Sequence, residues 1–126
     1  MWEGLPARFE RIVRGIAAAF GCRVEIEYQR HNRPTVNEPK MAALARAVAV
    51  EVVGEENVVD DIRTMGGEDF SAILAAVPGC FIAIGSRNEA KGLVHGHHHP
   101  RFDVDERCMQ IGAEVLLRTA RRFLEA

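Results

Sequence analysis

Four of the five histidines stand in one stretch, Leu93-Val94-His95-Gly96-His97-His98-His99-Pro100-Arg101-Phe102-Asp103. Neutral imidazole is the commonest metal ligand in proteins and suits zinc, nickel, copper and iron, so this cluster points first to metal chemistry. Spacing limits how many can act together. Successive side chains of an extended loop point to opposite sides, so alternate residues such as His95, His97 and His99, or one histidine alone, can face a single ion. A solvated polar loop is the other reading of the same composition.

Other candidate groups are sparser. Met65-Gly66-Gly67-Glu68-Asp69-Phe70 is a glycine turn feeding a helix, where glycine lets the backbone turn sharply or approach a ligand closely. Glu68 and Asp69 also suit the positive end of that helix with no catalytic role at all. Cys22, Cys80 and Cys108 are far apart, odd in number and set in apolar patterns. They read as reduced core thiols, not as a disulfide framework or a paired-cysteine metal knuckle.

These residues need elements to hold them. From Pro6, the residues Phe9, Ile12, Val13, Ile16, Ala17 and Phe20 form the stripe of an amphipathic helix, stopped by Gly21. Cys22, Val24, Ile26 and Tyr28 alternate with polar residues, which predicts a strand with one wet face. The connector from His31 to Val36 leads to Asn37 and Pro39, a helix-start signal. Met41, Leu44, Ala45, Val48, Ala49 and Val52 make the next helical stripe up to Gly54, and Val58-Val59 can begin a short strand. Phe70, Ile73, Leu74 and Val77 line a third helix, stopped by Pro78-Gly79. Cys80 to Gly85 reads as a strand buried on both faces. Asp103 and Glu106 have capping-box spacing for a last helix with the stripe Cys108, Ile111, Val115, Leu116, Ala120 and Phe123. The predicted order is α-β-α-β-α-β-α, an α/β layered architecture.

At 126 residues the length alone predicts a core of its own, and 48% hydrophobic with 27% charged residues describes an ordinary globular chain. The formal charge is -2 with scattered Lys and Arg, so nucleic acid is not an expected partner. The start lacks a basic segment followed by an apolar one, and no apolar run approaches the roughly 18 residues needed to span a bilayer. The cytoplasm is the expected compartment, without a membrane partner.

Gly66-Gly67-Glu68-Asp69-Phe70, Val77-Pro78-Gly79 and His98-His99-Pro100-Arg101-Phe102-Asp103, in this order, closely resemble the C-terminal part of the metal-dependent amidohydrolases. That family includes hippurate hydrolase, auxin-conjugate hydrolase and N-acetyl-diaminopimelate deacetylase, relatives of aminoacylase and the zinc carboxypeptidases. The resemblance covers nearly the whole chain, including the connector from Asn32 to Asn37, which is similar to the family's return from lid to catalytic domain. It implies two domain portions. Residues 1–33 would be the end of a lid or dimerisation domain, and residues 34–126 the C-terminal part of the catalytic metal-binding domain, the edge of a phosphorylase/hydrolase-like fold.

What the family implies is hydrolysis of the amide bond of N-acyl or N-aroyl amino acids at a site holding two divalent metals, zinc, manganese, cobalt or nickel. The family's last metal ligand lies two residues before the proline of Pro-Arg-Phe-Asp, which is His98 here. By the same resemblance His95 and His97 are bystanders, and Gly66, Gly67 and Glu68 lie near the pocket, where they could orient substrate. The family's His-x-Cys-Gly-His-Asp motif and its Glu-Glu pair with the general base have no counterpart in this sequence, and Glu55-Glu56 stands in the wrong order to serve. The expectation is thus a catalytically incomplete chain with one metal ligand and no general base, which self-associates or pairs with a missing N-terminal half. A metal-binding or assembly module without catalysis, or the complementing subunit of a split hydrolase, would carry the same residues.

Overall fold

The computed structural model describes residues 2–125. Four α-helices account for most of the regular structure: α1 (Leu5–Ala19), α2 (Pro39–Val53), α3 (Phe70–Ala76) and α4 (Arg107–Leu124). Single 3-10 turns stand at Trp2–Gly4, Glu55–Asn57 and Glu89–Lys91. All four helices lie where apolar periodicity places them.

Helix α1 ends in a Schellman motif. Gly21 takes φ +66 and donates to Ala18 O at 3.1 Å, while the Cys22 N–H reaches Ala17 O at 2.9 Å, so the last carbonyls are satisfied. The following chain folds back over the helix: the Phe9 and Tyr28 rings lie 5.7 Å apart, and Arg30 donates to the Glu3 carbonyl at 3.1 Å. No other α-helix touches α1 among the described residues. Its stripe stays open as a result, with Ile12 and Ile16 each 56% exposed.

Helices α2 and α4 pack on each other and make the centre of the fold. Val48 and Val115 are fully buried there, beside Ala45, and Arg122 spans both carboxylate oxygens of Glu51 at 2.9 Å on the rim. Among the described residues these three are the buried apolar side chains. The length-based expectation of a self-sufficient core is therefore not met. The accessible surface is 10527 Å², against roughly 6,700 Å² for a compact monomer of this mass. Apolar surface that a closed core would cover is left open.

The expected strands are not formed either. The residues 22–28, 58–59 and 80–85 carry no ladder, and a single antiparallel bridge, Asn88 with Leu93, is present among the described residues. The α-β-α-β-α-β-α order is realised only in its helices. The reason is physical: helix hydrogen bonds are internal to the segment, whereas a strand exists only through a neighbour that takes its N–H and C=O groups. Cys22 also departs from expectation, being exposed and not part of a core.

Helix starts differ from the predicted caps. Glu38, not Asn37, caps α2, accepting from the Met41 N–H at 2.8 Å. Asn37 instead pairs with the Phe81 backbone, accepting its N–H at 2.7 Å and donating to its carbonyl at 2.9 Å. The Asp103 and Glu106 capping box is absent. Asp103 accepts only the next residue's N–H, and Asp105 takes the Arg107 N–H at 3.3 Å.

Candidate functional site

The histidine loop is built from two successive turns. His99 N–H donates to Gly96 O at 3.2 Å, and Phe102 N–H donates to His99 O at 2.9 Å. The first turn places His98 at its third position with φ +67. That conformation normally belongs to glycine or asparagine, and His98 is the one residue other than glycine that adopts it among the described residues. The second turn carries Pro100 at its second position, where a fixed φ suits it.

The other histidines are engaged locally. His95 and His99 stack face to face, 4.0 Å between centroids and 5° between planes. Imidazole lone pairs lie in the ring plane and zinc–nitrogen bonds are about 2.1 Å, so two parallel rings at this spacing cannot share one ion. His99 Nδ1 accepts the Arg101 N–H at 3.1 Å, and His97 lies edge-on to Phe102 at 4.9 Å. Only His98 stands on a backbone that the loop has bent out of the ordinary.

One buried carboxylate, which the sequence reading missed, ties the loop's stems together. Asp105 accepts from the Asn88 amide, from Lys91 Nζ at 2.9 Å and from the Arg107 N–H, while its own N–H donates to Ser86 O at 2.9 Å. Asn88 and Leu93 exchange backbone bonds at 3.0 and 2.9 Å. The Asn88 amide, then Lys91 and the Arg107 N–H, hold the Asp105 carboxyl down at about 2. Its signal in the sequence was weak, because the Asp-Val-Asp-Glu run at 103–106 offers three carboxylates for one helix start.

Gly66, Gly67 and Glu68 sit elsewhere. Glu68 Oε1 accepts the Phe70 N–H at 3.1 Å, a local cap for α3. Neither glycine has a positive φ, a Cβ on Gly67 would meet nothing, and one on Gly66 would meet only Thr64 Oγ1 at 3.4 Å. Turn geometry and crowding within the chain therefore do not require glycine here. Gly66 and Glu68 border a hollow of about 1200 Å³ floored by α2 and α4. His95 and His97 border a separate one of about 320 Å³. Ile84 and Arg87 line both, so the hollows adjoin, but His98 and Glu68 do not share one.

As a metal centre the donor set is partial. Among the described residues no group of three or more His, Cys, Asp or Glu side chains is placed to hold one ion. A catalytic zinc takes three protein ligands and a water, so these residues do not fit a complete centre. Burial pushes the Cys80 thiol up, away from the thiolate that would bind or attack. Beside the large hollow, Arg46 is held protonated by Glu55 and then Asp60, whose carboxylate it grips at 2.9 Å, which ties α2 to the segment after it.

Comparison with known proteins gives this site its setting. The model of peptidase family M20/M25/M40 matches residues 4–122. The chain belongs to that family of hydrolases. It is 35% identical over 112 residues to YhaA of Bacillus subtilis, whose name as an amidohydrolase is itself inferred, covering 89% of this chain and 28% of that protein. It is 30% identical over 124 residues to IAA-amino acid hydrolase ILR1-like 6 of Arabidopsis thaliana, covering 95% of this chain and 27% of that one. Thermostable carboxypeptidase 2 of Saccharolobus solfataricus is 33% identical over 104 residues, with 82% of this chain and 26% of that protein covered. The chain thus spans little more than a quarter of the length of these relatives. No solved structure matches it significantly. Among the described residues no helix is long and apolar enough to cross a membrane.

Proposed function

We propose that this chain is the C-terminal portion of a metal-dependent amidohydrolase acting on N-acyl or N-aroyl amino acids, and that it contributes His98 as a single metal ligand. The observation that carries this reading is the left-handed φ of His98 in the Gly96–His99 turn, two residues before Pro100. A non-glycine residue held in αL costs on the order of 1–3 kcal/mol, and such strain clusters at functional sites. By the resemblance, the position of the family's ligand falls on the same residue as the loop's strained position, which supports this reading.

The bound divalent metals, zinc, manganese, cobalt or nickel, would supply polarisation of the scissile carbonyl. This chain's own part is to present His98 on a loop pinned by Asp105, and to offer backbone at Gly66 and Gly67 where a ligand can come close. Glu68, fixed by the Phe70 N–H, orients substrate beside that backbone. The general base and the remaining ligands come from another polypeptide region. We divide the chain after residue 33, since α1 touches none of the other helices among the described residues.

The test is a chimera in which this chain replaces the matched stretch of YhaA, assayed on hippurate and N-acetyl amino acids with manganese or zinc. Turnover that falls at least about 100-fold in His98→Ala, with helix content kept, is the expected result. Turnover unaffected by His98→Ala removes His98 from the site.

The open stripe of α1 should also drive self-association of the isolated chain. Light scattering is expected to give a mass above 14.0 kDa that falls on dilution. A monodisperse monomer at high concentration contradicts it.

A further inference from the structure

We infer that the small hollow beside the histidine loop is a carboxylate site, anchored by Arg87, which takes a small monocarboxylic acid with an apolar body. The inference rests on the functional reading above and names the end of the substrate or product that this chain holds.

His95 and His97 have no place in the metal reading, yet both border one hollow of about 320 Å³ together with Ser86 and Arg87. That volume lies at the low end of small-molecule sites, roughly 300–1,000 Å³. Among the described residues no hydrogen bond or ion pair engages the side chains of Ser86, His95 or His97. A hydroxyl and a neutral imidazole each carry one proton to donate, so the hollow gathers donors that nothing within the chain accepts. Their positions are set from outside it. Asp105 N–H donates to Ser86 O at 2.9 Å, and the backbones of Asn88 and Leu93 join the two stems of the loop. His95 packs its face on His99, and His97 lies edge-on to Phe102, so ring contacts hold both imidazoles without engaging a ring nitrogen.

The charges select the ligand. A guanidinium presents paired N–H groups that match a carboxylate in two parallel bonds. Arg87 meets Glu89 at 2.9 Å, but these side chains are 66% and 76% exposed, and so open a pair yields readily to a ligand. Arg87 is the one Arg or Lys side chain lining the hollow among the described residues, and Asp103 lines it too, with Oδ1 accepting the Val104 N–H. This balance suits a monoanion and disfavours a dianion such as phosphate. Ile84 and Phe102 supply an apolar wall. Ile84 and Arg87 also line the adjoining large hollow, so the body of an acid can extend there while its carboxylate stays on Arg87. The amino-acid carboxylate of an intact N-acyl amino acid has this chemistry, and so has the acid that hydrolysis releases.

Nuclear magnetic resonance of the nitrogen-15-labelled chain, dilute and metal-free, tests the inference without relying on hydrolysis. The probes are hippurate, benzoate and N-benzoylglycinamide, which lacks the carboxylate. At least one of the two acids should shift the signals of Ser86, Arg87 and His97 together and saturably, at least about 10-fold more tightly than the amide does. Arg87→Gln should weaken that binding at least about 10-fold with helix content kept. Glu89→Gln, which releases the guanidinium, should tighten it about 2- to 5-fold. Hippurate tighter than benzoate assigns the site to the intact N-acyl amino acid, and the opposite order assigns it to the released acid. No saturable shift at these residues with either acid, equal binding of N-benzoylglycinamide, or binding indifferent to Arg87→Gln would each overturn the inference. Hydrolysis is read separately in the YhaA-based chimera: carboxylate binding without turnover of hippurate keeps the site and removes the amidohydrolase reading, whereas turnover with a KM unmoved by Arg87→Gln does the reverse.

Discussion

Asp105 receives the side-chain amide of Asn88, and this one contact joins the start of α4 to the stem of the histidine loop. Seventeen residues separate the two in sequence, and the whole candidate metal loop lies between them. The loop's shape is set from its ends, by a buried carboxylate, as well as by its own turns.

Acid should therefore loosen the loop progressively, and only below about pH 4. The Asp105 carboxyl sits at about 2 when folded, below the ordinary value of about 3.9 it regains on unfolding. A group depressed in the folded state contributes stability that is fully present above its unfolded pKa and is lost as pH falls from about 4 towards 2. Asp105→Asn should flatten the stability profile in that window and lower stability at neutral pH. Chemical unfolding followed by circular dichroism at several pH values checks this, and parallel profiles for the two proteins would contradict it.

His98→Gly should separate strain from function. Glycine accepts φ +67 freely, whereas a left-handed conformation costs other residues about 1–2 kcal/mol. Part of that gain is offset by glycine's larger loss of freedom on folding. The expected result is stability equal to the parent or higher by up to about 1 kcal/mol, with hydrolysis in the chimera lost as in His98→Ala. Urea unfolding beside the activity assay reads both. A variant less stable than the parent would mean that the imidazole makes contacts the loop depends on.

Val48 and Arg122 probe the α2–α4 seam in opposite ways. Val48 is fully buried, so Val48→Ala removes two carbons from a packed site and should cost about 2 kcal/mol. Arg122 pairs with Glu51 on a half-exposed rim, and Arg122→Ala should cost less than about 1 kcal/mol and matter less at high salt. Thermal melting of both variants at low and high salt distinguishes them, and the reverse ranking would contradict this account of the core.

The helices were legible because their evidence is local. The stripe from Phe9 to Phe20 with Gly21 behind it, and the stripe from Cys108 to Phe123, can be read without a partner, because their backbone hydrogen bonds close within the segment. The segments at 24–28 and 80–85 were legible as strand sequences, yet a strand is a relation between two segments, and no ladder pairs them among the described residues. The histidine cluster was visible by composition, and the family resemblance, in register with Pro100, singled out His98. Its backbone was not legible, since φ +67 follows from the Gly96–His99 bond and not from the residue type. Asp105 was hidden for the same reason: which of three neighbouring carboxylates is buried depends on Asn88 and Lys91, which only the fold brings near.

The central claim is that this chain brings one ligand to a shared centre, and a zinc and manganese titration of the purified chain beside His98→Ala tests it most directly. The account predicts weak binding, little changed by the substitution, and no turnover of hippurate or N-acetyl amino acids in the same samples. Tight one-to-one binding that is lost in His98→Ala, together with turnover by the chain alone, would contradict it.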